Sequence, residues 1–97
     1  MAQLIELQRS LIGMIERSLT RLRSHVEEED MPEAAVHREC GWLIRIILLF
    51  PEADDYRGFL EGLQSLALHD PAEGTAVLLV HTLDRFVDLW MSRLVDH

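Results

Sequence analysis

The chain has 97 residues, 48% of them hydrophobic, with 17 acidic against 9 basic side chains and a formal charge of −8. That is enough apolar material for one domain burying roughly 60–70% of its unfolded surface, and too much for a disordered segment. The negative balance repels phosphate and anionic lipid, so neither nucleic acid nor a membrane surface is an expected partner.

The first predicted element runs from about Ala2 to Glu29. Its stripe of Ile5, Ile12, Ile15, Leu19, Leu22 and Val26 has spacings of 7, 3, 4, 3 and 4, the period of an amphipathic helix. At a rise of ~1.5 Å per residue it spans ~40 Å. The stretch Asp30-Met31-Pro32-Glu33 then reads as a helix start, with a capping Asp, a Pro in the first turn and an acidic residue behind it. A second helix is expected from about Pro32 to Leu49, ended by Pro51, because the residue before a proline avoids helical geometry.

A third helix, about Ala53 to Leu68, places Tyr56, Phe59, Leu60, Leu63 and Leu66 on one side and is weakened by Gly58 and Gly62. The G-x-x-x-G form of those glycines surrounds Glu61, so packing or simple weakness fits better than a membrane contact. Asp70-Pro71-Ala72-Glu73 repeats the helix-start signal. The fourth helix, about Pro71 to Val95, carries Ala76, Val80, Leu83, Val87, Trp90 and Leu94 at spacings of 4, 3, 4, 3 and 4. No useful strand pattern is present. One all-α domain over residues 1–97 is expected, an antiparallel up-down-up-down four-helix bundle that associates as a homodimer. An interlaced dimer of hairpins is the competing architecture.

The segment WLIRIILLF, Trp42 to Phe50, is apolar at every position but Arg45. A buried charge without a partner costs several kcal/mol, so a carboxylate is expected nearby. Folding the first hairpin about Asp30 and Met31 sets Arg45 level with Glu16, the first expected partner, and the remaining turns bring Asp84 to the same height as the second; the functional alternative is that Arg45 awaits an acidic ligand or partner.

The same folding separates two unlike ends. Glu27, Glu28, Glu29, Asp30, Glu33, Asp70 and Glu73 gather at one. The opposite end collects so many large apolar side chains that one stripe per helix cannot hold them, and a four-helix monomer is expected to have no central helix to absorb them. A second interface is therefore expected there, formed with a copy of the chain or a partner helix. Its expected residues are Leu4, Leu7, Leu11, Met14, Ile46, Phe50, Phe86, Trp90 and Met91, with Trp90 as the preferred anchor.

Chemistry is weakly signalled. His25, His37, Cys40 and His69 fall toward the acidic end, and His37 and Cys40 share a helical face at i, i+3, a possible transition-metal set. They lack a close Cys pair or a His-Glu-x-x-His arrangement. Three surface histidines and one buried thiol are the simpler expectation, as is a close helix contact at Cys40-Gly41 rather than a Cys40/His37 nucleophile. A phosphate-mimicking role for Glu27 to Asp30 is weaker than a solvated helix end.

No catalytic motif, cofactor loop or disulfide is available, and the lone cysteine and the start MAQLIELQRS, unlike a signal peptide, suggest the cytoplasm. The expected function is a non-enzymatic helical interaction module needing no cofactor, a regulator, adaptor or secretion-chaperone-like protein. Helical export chaperones and small anti-activators share its general look, an analogy of type that assigns nothing. A small metal-binding or sensing protein is the alternative.

Overall fold

The computed structural model describes the backbone of residues 2–28, 32–69 and 75–95 and the side chains of residues 6–28, 32–68 and 75–94. Four α-helices account for most of it: α1 (Ala2–Glu28), α2 (Glu33–Ile47), α3 (Arg57–His69) and α4 (Thr75–Val95), with a 3-10 helix, Pro51–Tyr56, between α2 and α3. They pack into a globule of 43 × 26 × 20 Å.

The helix ends follow from local chemistry. Pro32, at φ −58° and ψ 143°, is the N-cap of α2 rather than a member of its first turn, and its carbonyl accepts from the N–H groups of Ala35 at 3.0 Å and Val36 at 3.2 Å. Asp30 and the Asp70-Pro71-Ala72-Glu73 start lie outside the described residues. After Ile47 the chain tightens. Leu49 donates to Ile46 O at 3.1 Å and Phe50 to Ile47 O at 3.0 Å, and Pro51, lacking an N–H, opens the 3-10 helix. Phe50 is extended, at φ −83° and ψ 130°, as a residue before proline should be. The third element is thus a 3-10 turn followed by a shorter α-helix.

The stripes predicted for α1 and α4 face inward: Ile15, Leu19 and Leu22 from α1 are buried, as are Ala76, Val80, Leu83, Val87 and Trp90 from α4. On α3 the buried line is Leu60 and Ala67 with Leu63 half-buried, continued by half-buried Tyr56 at the end of the 3-10 helix, while Phe59 and Leu66 face out.

The largest departure from expectation concerns α2, which packs against all three other helices, most extensively against α3. Val36, Cys40, Leu43, Ile44, Ile46 and Ile47 are all buried. The fold does have a central helix, and its broad apolar girth is satisfied within the chain. The surplus that argued for a second interface at the apolar end is therefore much reduced.

Candidate interaction surface

A helix surrounded on three sides has one side left. On α2 that side is the line Ala35, Arg38, Trp42 and Arg45, spaced 3, 4 and 3, and Leu49, in the turn just past the helix end, lines the same groove as Trp42 and Arg45. Residues so spaced share one face of a helix, and the two before and two after Arg45 are core: Leu43, Ile44, Ile46 and Ile47. Arg45 thus occupies the open stripe. It is exposed and makes no ion pair among the described residues. The expected pairs to Glu16 and Asp84 are not formed. Glu16 is exposed, and Asp84 is held by Arg23 of α1, whose Nε donates to Oδ1 at 3.0 Å. That bond raises the Arg23 pKa above its usual value, against a smaller opposing effect of burial.

Trp42 is 40% exposed and Leu49 67% exposed. Trp42 stands between two shallow grooves. On the α1 side, Arg21, Ala35, Arg38, Glu39 and Trp42 line a depression of about 460 Å³. On the α3 side, Trp42, Arg45, Ile46, Leu48, Leu49 and Gln64 line another of about 490 Å³. The walls are fixed by polar bonds. Glu39 Oε1 accepts from Ser18 Oγ at 3.1 Å and from Arg21 Nη2 at 2.7 Å, tying α1 to α2. Gln64 Nε2 donates to the Gly41 carbonyl at 3.4 Å, tying α3 to α2. Gly41 also allows a close approach: a Cβ there would lie 2.9 Å from Leu68 Cδ2. By contrast, no neighbour lies within 4 Å of a Cβ built at Gly58 or Gly62, so the G-x-x-x-G pair weakens α3 without serving a contact.

The interface expected at the apolar end divides. Ile46, Phe50 and Trp90 are core residues; the Phe50 and Trp90 rings meet edge-on with centroids 5.0 Å apart, and Trp90 Nε1 donates to the Glu52 carbonyl at 3.5 Å. Trp90 is therefore corrected from surface anchor to core residue, because the turn at Pro51 folds Phe50 back onto α4. Leu11, Met14, Phe86 and Met91 are half-buried against the same core, Leu7 is exposed, and the side chain of Leu4 lies outside the described residues. Sequence reasoning passed over Arg38, counted Leu49 with the apolar surplus, and held an acidic partner for Arg45 only as the alternative to a buried ion pair. The signal that joins them was the spacing of Arg38, Trp42 and Arg45 along one helix face.

The metal set does not assemble. His37 is buried, its Nδ1 donating to the Ala67 carbonyl at 3.2 Å and its Nε2 3.1 Å from the Thr75 hydroxyl. In the neutral ring Nε2 accepts that hydroxyl, so both nitrogens are taken and α2, α3 and α4 are linked. Cys40 is buried; desolvation, with a smaller push from Glu39, raises its thiol pKa to about 12. Such a thiol is a poor nucleophile and a poor ligand at neutral pH. His25 is half-buried, and the side chain of His69 lies outside the described residues. Among the described residues no three His, Cys, Asp or Glu side chains form a group able to hold a metal, and no helix is long and apolar enough to cross a membrane. Comparison with protein-family models, curated proteins and solved structures gives no match.

Proposed function

We propose that this protein is a non-enzymatic helical interaction module, an adaptor, regulator or chaperone-like binder, and that its binding face is the open stripe of α2. The carrying observation is Trp42: a tryptophan 40% exposed, between two open grooves and flanked by Arg38 and Arg45. Tryptophan and arginine are the residues on which binding energy most often concentrates. What sets Trp42 apart from the other exposed apolar residues is its place between two grooves, one of them shared with exposed Leu49 and with Arg45. The homodimer expected through the apolar end loses its chosen anchors, since Ile46, Phe50 and Trp90 are core. A partner segment on α2 is the better-supported form of association.

Photo-crosslinking tests this reading. A benzophenone amino acid replaces Trp42 in one variant and Leu78, an exposed apolar residue of α4, in another. In cells of the source organism a discrete adduct is expected from position 42 and not from position 78. No adduct, or the same adducts from both positions, overturns the proposal.

A further inference from the structure

We infer that the occupant of the α2 stripe is an acidic amphipathic helix, with two carboxylates seven residues apart and apolar side chains between and beyond them, rather than a second copy of this chain. The inference rests on the interaction role proposed above and adds the chemistry of the partner.

Arg38 and Arg45 lie two helical turns apart, ~10.5 Å along the axis. Neither forms an ion pair among the described residues, in a chain with 17 carboxylates. The nearest acid on α2, Glu39, is turned toward α1 and engaged by Ser18 and Arg21. The stripe itself contains no acidic residue. It is a cationic strip on an anionic protein, with Trp42 between the charges and Leu49 just past them. A helix laid along it repeats its own face every seven residues, so carboxylates at positions i and i+7 meet the two guanidiniums. Apolar residues three or four positions from each meet Trp42 and Leu49. Planar guanidinium suits carboxylate in bidentate contact.

A second copy fits badly. Antiparallel two-fold pairing about Trp42 brings Arg38 beside Arg45 of the copy, and parallel pairing sets each arginine against itself; both oppose like charges. A polyphosphate strand could stack on Trp42 between arginines, but the chain's charge of −8 repels it, and the aliphatic Leu48 and Leu49 give it nothing to stack on.

The test uses the whole protein and a stapled 18-residue helical peptide bearing Glu at positions 3 and 10 and Leu at positions 7 and 14. A second peptide has Lys in place of both Glu. Binding is read by anisotropy of a dye on the peptide. One exposed ion pair changes affinity by at most about fivefold, and two act together. The Glu peptide is expected to bind about two- to twenty-five-fold more tightly than the Lys peptide, and the Arg38→Glu/Arg45→Glu variant, folded by circular dichroism, is expected to reverse that order. Trp42→Ala should weaken both. If the two peptides bind equally, the acidic partner is wrong while docking at Trp42 stands. If neither binds, while position 42 still gives its cellular adduct, the helical acidic occupant is overturned and the interaction role is not. Tight binding of oligothymidylate, or self-association abolished by Trp42→Ala, replaces this partner with nucleic acid or with a second copy.

Discussion

The two tryptophans sit in the same fold under opposite conditions. Trp90 is closed in by Phe50 at 5.0 Å and by Phe86, with centroids 6.2 Å apart, and its N–H reaches a backbone carbonyl. Trp42 has grooves on both sides and arginines before and after it in its stripe. The difference shows that hydrophobicity along a sequence reports how many sides of an element are covered, whereas the position of its charges reports which side is left open. Around Trp90 the apolar residues belong to stability. Around Trp42 they remain available for recognition.

Replacing each region in turn sharpens the contrast, and Trp90→Ala should be the most damaging. It removes a ring buried on all sides and its aromatic partners, and large aromatic truncations in cores cost about 3–5 kcal/mol. Urea denaturation of the wild type and the variant measures this directly. A loss below about 1 kcal/mol would place Trp90 outside the core and erase the comparison.

The next effect is pH-dependent and belongs to the buried side of α2. Cys40 has its thiol pKa raised from an ordinary 9.0 to about 12. The folded state holds that proton more firmly than the unfolded state does. The associated stability is complete below pH 9 and is lost as pH climbs toward 12, by at most about 1.4 kcal/mol per unit. The wild type should therefore lose stability relative to Cys40→Ala across that window and run parallel to it below pH 8. Equal slopes throughout would mean an accessible thiol.

His37→Leu comes third. It removes the bonds to Ala67 and Thr75 that link three helices, with an expected cost of about 1–3 kcal/mol for the stranded polar groups. A gain in stability would show that those bonds contribute nothing net. Trp42→Ala, at a ring already 40% exposed, should cost about 1–2 kcal/mol, clearly less than Trp90→Ala, while removing binding. A loss comparable to that of Trp90→Ala would return Trp42 to a structural role. Gly62→Ala has the opposite sign. The position is exposed, helical and clear of neighbours, so stability should rise by about 0.5–1 kcal/mol in the same denaturation assay.

Much of the architecture was legible because the 3.6-residue period records which face of a helix is covered. The lines through Ile15, Leu19 and Leu22 and through Val80, Leu83 and Val87 are buried as their spacing requires. Pro51 marked the end of α2 for a reason contained in its ring. What the period does not record is the identity of the neighbours. Nothing in the residues of α2 says that three helices cover it, so its width was assigned to a second molecule, and Arg45 was read as enclosed when it lies on the uncovered line with Trp42. The same limit affects α3, where small Ala67, whose carbonyl meets His37 of α2, is buried and Leu66 faces out. The partners of His37 lie 30 and 38 residues away and depend wholly on how the helices meet.

The approach of Leu68 to Gly41 carries one more consequence. A methyl group at Gly41 would collide with the end of a leucine that is itself 47% exposed, so the leucine can swing outward instead of prying α3 from α2. The bare backbone at Gly41 thus sets the contour of the ground beside Trp42. The shape of that outer terrain can be sculpted by one buried hydrogen atom, with the interior left as it was.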